Sequence, residues 1–226
     1  FHAHSWGLPY DSTLVGAKQV FPGRLDVKNI FALIERERVT ITAAVPTVFT
    51  MMLEQPEANK YDLSSLKYVF SGGAPTSMGL IKAFRDRFGV QLITSYGLTE
   101  TCPVLTKAHL KTHMRNWTPQ KKDDVCSKTG LPLPGLDLKV VNNHGEEVPH
   151  DGKTIGEIIV RGPYVTPAYY NDPKRTAESW DKRGYFHTGD AAVIDDEGYV
   201  TVVDRDKDII KSGGETIPST LIDKVI

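Results

Sequence analysis

The sequence predicts an α/β fold in which a largely parallel sheet with helices is followed by a small antiparallel, β-barrel-like region. Three observations predict it. In the first half, short β-branched runs alternate with helical runs, and glycine turns separate them. From residue 131 the pattern changes to short strands joined by hairpin turn signals. The chain has 226 residues, 40% of them hydrophobic and 24% charged, enough to bury a sizeable core.

The elements follow in order. Thr40 to Phe49 (TITAAVPTVF) is β-branched and apolar, a buried strand running into a helix at Pro46. That helix is expected to carry Val48, Met51, Met52 and Leu53 on one side. Leu66 to Phe70 is a short strand stopped by the turn Ser71-Gly72-Gly73-Ala74-Pro75. Thr76 or Ser77 can cap the next helix, whose apolar face is Leu80, Ile81, Phe84 and Phe88. Val90 to Thr94 is the following strand, expected to break at Tyr96-Gly97. Residues 105–125 are polar and read as a surface excursion with some helix, with Asp123 and Asp124 solvated. Leu136–Val141, Ile155–Arg161, Ala191–Ile194 and Tyr199–Val203 are the β-rich runs of the second half. Asn142–Gly145 and Asp195–Gly198 are the hairpin signals between them.

Charge and motif content exclude several functions. Lys and Arg total 27 and Asp and Glu 28, so no strong field draws in nucleic acid or an anionic membrane, and phosphate binding needs a local site. The two cysteines, Cys102 and Cys126, lack metal-ligand spacing and read as reduced thiols in a cytoplasmic protein, with a disulfide as the other reading. No HExxH, Walker or GxSxG motif occurs, and no apolar run reaches the ~18 residues of a spanning helix. Phe1 opens inside an apolar-aromatic stretch and Lys224-Val225-Ile226 reads as an unfinished helix, so the chain is expected to be part of a longer one.

Four segments can carry chemistry. In Thr94–Thr101 (TSYGLTET), Tyr96 can stack on a flat base, Thr99 can donate to a phosphate and Glu100 offers a hard oxygen to Mg²⁺. The same segment also reads as a tyrosine turn with a capping threonine. The small residues of Ser71–Pro75 let backbone approach a ligand, or simply turn strand into helix. In Phe186–Asp190 (FHTGD), an aspartate after a glycine turn can accept from two ribose hydroxyls, or be a surface turn. Asp204–Glu215 alternates charges before a glycine pair, a bendable connector in which Arg205 and Lys211 are phosphate- or ribose-grade donors. The loops 71–75 and 95–101 fall at the carboxyl ends of predicted strands, where α/β sheets bind ligands.

Together, in this order, the four segments resemble the adenylate-forming superfamily of acyl-CoA synthetases, peptide-synthetase adenylation domains and beetle luciferases. YGLTET, the HTGD segment and RDKDIIKSGGE, with Arg205 fifteen residues after Asp190, carry the resemblance over essentially the whole chain. The opening FHAHSWGLPY looks most like the members acting on fatty acids.

The resemblance implies a central part of the large N-terminal domain of an acyl-CoA synthetase, with residues 1–130 its α/β part and 131–206 a β-rich subdomain. Residues 207–226 would be the hinge and the start of a small C-terminal domain. It implies that Gly73, Ala74 and Pro75 line one side of adenine and Tyr96 the other, beside Ser95 and Gly97. Thr99 meets the α-phosphate, Glu100 coordinates Mg²⁺, Asp190 binds the ribose, Val202 sits near the nucleoside and Arg205 adds a ribose contact. Lys207 is the hinge, Lys211 a further nucleotide- or thiol-side contact, His2 a neighbour of the carboxylate being activated, and Trp6 a gate to the acyl tunnel. Val45, Phe49 and the 126–133 segment would line the acid slot.

ATP (leaving AMP), Mg²⁺, coenzyme A and a fatty acid are the implied cofactors and partners. Nucleic acid and a transmembrane segment are not expected, the place is the cytoplasm with peripheral membrane association open, and a homodimer is left open. The resemblance implies a phosphate loop upstream of Phe1 and an adenylation lysine after Ile226, while Thr166-Pro167-Ala168 replaces the family's usual small turn before Tyr169 and Tyr170. Two rivals stay open: adenylation of an aryl or other acid, including carrier-protein loading, and a non-catalytic nucleotide-binding truncation.

Overall fold

The computed structural model describes residues 3–205, 210–212 and 215–217. Two short helices, α1 (Ala3–Trp6) and α2 (Leu8–Leu14), lead into α3 (Val27–Glu37). Asp26 caps α3 by accepting from the Lys28 amide, and Val27, Phe31 and Ile34, one helical face, are buried. Strand β1 (Ile41–Ala44) passes into α4 (Pro46–Glu54), with Pro46 in the first turn, where a missing N–H costs nothing. The buried face of α4 is Phe49 and Met52, whereas Met51, expected beside them, is exposed. Phe49 is therefore core: it packs edge-on against Phe84 at 5.3 Å and lines no acid slot.

β2 (Tyr68–Ser71), α5 (Met78–Phe88) and β3 (Leu92–Gly97) continue the alternation. Ser77 caps α5 through the Leu80 amide, and Gly89 ends it at φ 70°, a left-handed conformation suited to glycine. β1, β2 and β3 pair in parallel; β4 (Val104–Lys107) and β5 (Leu131–Pro132) extend the sheet antiparallel. Val69 and Leu92 face the helices α3, α4 and α5, closing the first core with Ile81 and Phe84. Each such fully buried side chain contributes about 1.5–3 kcal/mol of transfer free energy.

Two expectations fail here for the same reason. β3 does not break at Tyr96-Gly97 but runs through them, because Tyr96 and Gly97 pair with Thr106 and Val104 across a register shift. The 105–125 stretch is consequently not a surface excursion. Leu105 and Thr106 are fully buried in β4, and α6 (Pro119–Ser127) buries Asp123, Val125 and Cys126. Asp123, expected in solvent, is ion-paired with Arg85 of α5. Both cysteines are free, Cys102 exposed and Cys126 buried.

The second sheet is an antiparallel meander of β6 (Asp137–Val141), β7 (Gly156–Arg161), β8 (Phe186–Ile194) and β9 (Val200–Arg205), with α7 (Pro173–Ser179) between β7 and β8. β8 starts at Phe186 rather than Ala191, so the HTGD segment lies inside a strand, with Gly189 at φ 69° ahead of a register shift. Leu105 joins Ile158, Val160 and Val200 in a second core with Tyr96 and Leu98 against it, and Gly130 bridges to Val200. The two sheets thus share a seam along β3, β4 and β8. Backbone pairs of β10 (Ile210–Ser212) and β11 (Glu215–Ile217) complete the description. The expected helix at 224–226 lies outside the described residues.

Candidate active site

A cleft of about 1120 Å³ opens along that seam. Its first wall is the turn after β2. A Cβ on Gly72 would stand 2.9 Å from the Ser95 carbonyl oxygen, and Gly73 has φ 77°, so both positions require glycine. The Trp6 ring and the Val45 side chain pack over this turn, 3.6 and 3.4 Å from where a Gly73 Cβ would be. Below the turn, Thr76 donates to Ser71 Oγ at 2.7 Å, tying its two ends together in the core. Ala74 and Pro75 are exposed and form no part of the cleft wall. Phe70, with its register partner Ala43, extends the apolar side next to Trp6 and Val45.

The second wall is the end of β3. Ser95, Tyr96, Gly97, Thr99 and Glu100 all border the cleft. Gly97 has no substitute, since a Cβ there would lie 1.7 Å from the Pro103 carbonyl oxygen. Ser95 Oγ is buried without a hydrogen-bond partner among the described residues, and so is Thr94 Oγ1 behind it. Thr99 and Glu100 sit on a single 3-10 turn, pinned by Thr101, whose hydroxyl donates to the Pro103 carbonyl at 2.8 Å. Glu100 is held from the far side. Tyr169 Oη donates to Glu100 Oε1 at 2.7 Å, and the Thr166 amide donates to the Glu100 carbonyl at 2.8 Å.

The third wall is β8. Asp190 is 3% exposed, yet it accepts a hydrogen bond from the Tyr96 phenol. Its amide donates to Thr188 Oγ1 at 3.1 Å, and Glu157 accepts from the Gly189 amide at 3.0 Å, fixing the bent strand. His187 Nδ1 lies 2.8 Å from Glu157 Oε2. Arg205 is the register partner of Asp190, so the fifteen-residue spacing spans one hairpin. Val202 packs against the second core and stands outside the cleft wall, its amide donating to Thr129 Oγ1 at 2.8 Å. Lys211 lies in β10, while His2 and Lys207 fall outside the described residues.

Tyr169, Arg175 and Glu157 also line the cleft, and sequence reasoning gave them no role. The signal for Tyr169 was faint: a tyrosine pair ahead of an Asn-Asp-Pro helix start. The cleft wall carries four carboxylates, Asp11, Glu100, Glu157 and Glu178, against two cations, Lys107 and Arg175. Such a wall repels a polyphosphate unless a divalent cation accompanies it. Among the described residues no group of three metal-ligating side chains occurs, so an ion would be held by Glu100 together with ligand oxygens. With backbone approach at Gly72 and Gly73, an unpartnered Ser95 hydroxyl and a buried acceptor at Asp190, the residues fit a Mg²⁺–nucleotide.

A model described as "AMP-binding enzyme" matches residues 1–170. The chain belongs to the AMP-binding enzyme family. Over its full length, the chain is 43% identical to a long-chain-fatty-acid–CoA ligase of Thermus thermophilus and 37% identical to a medium-chain-fatty-acid–CoA ligase of Ectopseudomonas oleovorans. It covers 42% and 41% of those proteins, so the chain spans about two fifths of the curated relatives it matches. Among solved structures, O-succinylbenzoate coenzyme A synthetase from Bacillus subtilis superposes with a TM-score of 0.83 at 28% identity, covering 99% of this chain and 46% of that one. ATP-bound MatB from Rhodopseudomonas palustris gives 0.81 at 28%, covering 99% and 42%. The α/β sheet with its antiparallel companion is thus that of the N-terminal domain of adenylate-forming enzymes. No helix among the described residues is long and apolar enough to cross a membrane.

Proposed function

We propose that this chain forms the nucleotide- and acid-binding part of an ATP-dependent ligase that joins a fatty acid to coenzyme A. The observation that carries the reading is the bond from Tyr96, which lines the cleft with Glu100, to Asp190, buried behind the β8 wall next to Gly189. A base-stacking ring, a buried ribose acceptor and a metal-grade carboxylate are the minimum for holding ATP.

In the reaction, the fatty-acid carboxylate attacks the α-phosphorus of ATP, pyrophosphate leaves, and the thiol of coenzyme A then displaces AMP from the acyl-adenylate. The chain's residues position and neutralise. Tyr96 stacks on adenine opposite Gly73, with Val202 behind the nucleoside. Asp190 accepts from the ribose hydroxyls and Arg205 donates to them. Thr99 donates to the α-phosphate. Glu100 holds Mg²⁺, which when bound offsets phosphate charge. Trp6 and Val45 form the entry of the acyl slot, and His2 stands beside the reacting carboxylate. Lys207 is the hinge between the large and small domains, and Lys211 reaches the nucleotide or thiol side. The enzyme works in the cytoplasm. Fatty acid is favoured over an aryl acid because Trp6, Val45, Phe70 and Ala43 give that side of the cleft an apolar wall, and because the relatives most similar in sequence include fatty-acid ligases.

ATP–pyrophosphate exchange on the longest available form of the protein tests the reading, with acetate, decanoate, palmitate, benzoate and amino acids offered in turn and Asp190→Ala as control. Stimulation by decanoate or palmitate, lost in the variant, supports a fatty-acid ligase. Stimulation by benzoate or amino acids alone overturns the substrate. No exchange with any acid overturns the activity.

A further inference from the structure

The segment Gly162–Asn171, where Thr166-Pro167-Ala168 leads into the tyrosine pair, reaches across the cleft and grips one residue at two points. Its Thr166 amide donates to the Glu100 carbonyl at 2.8 Å, and its Tyr169 phenol donates to Glu100 Oε1 at 2.7 Å. Tyr169 is itself held on every side. The Arg175 guanidinium lies over its ring at 4.2 Å, Trp180 packs edge-on at 5.4 Å, and its amide donates to Thr176 Oγ1 at 3.0 Å. Ring, phenol and backbone are therefore fixed before any ligand arrives.

We propose that Tyr169 is a positioning residue: by occupying Oε1 of Glu100 it fixes the carboxylate rotamer and presents the other oxygen to the divalent cation. This rests on the reading of Glu100 as the metal ligand. A carboxylate bound by a neutral donor keeps its charge for the ion but loses its freedom to swing, as with hydrogen-bonded metal ligands generally. Arg175, stacked on the ring, holds the phenol from behind.

Tyr169→Phe removes the hydroxyl and keeps the ring, so Trp180 and Arg175 retain their contacts. Two readouts are needed on the purified protein: Mg²⁺ dependence of binding a non-hydrolysable ATP analogue, by calorimetry, and metal-free binding of AMP. The expected result is that Tyr169→Phe raises the half-saturating Mg²⁺ about tenfold, while AMP affinity stays within about twofold. Glu100→Gln should raise it further. An unchanged Mg²⁺ dependence in Tyr169→Phe, with a changed one in Glu100→Gln, overturns the positioning role alone. No change in either variant overturns the role of Glu100 and this proposal with it. Equal loss of metal-free AMP binding and Mg²⁺ response in Tyr169→Phe overturns the proposal too, because it marks a merely structural contact.

Discussion

Tyr96 donates its phenolic hydrogen to the buried carboxylate of Asp190, 94 residues further along the chain. The contact crosses from the α/β sheet to the antiparallel meander and ties the two walls of the cleft together. A nucleotide whose base lies on Tyr96 and whose ribose meets Asp190 must share both groups with this bond.

Asp190→Ala should therefore weaken AMP binding by roughly 1–3 kcal/mol, the scale of leaving polar partners unpaired. Equilibrium titration with AMP measures it. Affinity equal to the parent protein's would sink the ribose role.

Gly97→Ala should be far worse than Gly89→Ala. At Gly97 a Cβ meets the Pro103 carbonyl oxygen at 1.7 Å, and backbone cannot step aside as a side chain can. We expect a loss of about 3 kcal/mol in urea unfolding, from overpacking against rigid neighbours. Gly89 has φ 70° but nothing within 4 Å, so its cost is the left-handed backbone alone, about 1–2 kcal/mol. Equal effects would refute the close approach.

Arg85→Met should cost about 3 kcal/mol, because it strands a carboxylate in the core. Asp123 is 1% exposed and its other polar neighbour, Gln91 Nε2, is 3.4 Å away. Replacing both partners with apolar residues of similar size should recover much of the loss. Urea unfolding of the single and double variants gives the comparison, and a silent Arg85→Met would contradict the buried pair.

Alkylation should distinguish the two thiols. Burial, and next the Asp123 charge, push Cys126 up to about 12. A raised thiol titration means that the proton stays on, so at about pH 8 Cys126 remains an inert thiol while exposed Cys102 is open to attack. Mass spectrometry after iodoacetamide should show one modified cysteine in the native protein and two after unfolding. Rapid native labelling of Cys126 would disprove its burial.

Much of the site was readable from local chemistry. Strand, glycine turn and helix spacing put residues 71–75 and 95–101 at strand ends, and the structure brings Gly72 and Gly73 of the first loop and Ser95 to Glu100 of the second to one cleft. The Asp190–Arg205 spacing became a cross-strand register. Where local reading failed, distant pairing was the cause. Gly97 looks like a strand breaker in sequence, yet it is a strand residue made necessary by the Pro103 backbone. Asp123 looks like a solvated acid until α5 brings Arg85 to it. Met51 and Phe49, two residues apart, lie on different faces of α4, and Phe49 is on the buried one.

The sequence by itself determined the alternation of elements, their caps and the residue types able to bind a nucleotide, because periodicity and turn chemistry act within a few residues. Only the tertiary structure decided which of those residues share a cavity and what holds each one. The Tyr169–Glu100 bond spans 69 residues and the Tyr96–Asp190 bond 94. Neither leaves a trace in local pattern, since a hydrogen bond between distant side chains depends on how two sheets pack along a common seam.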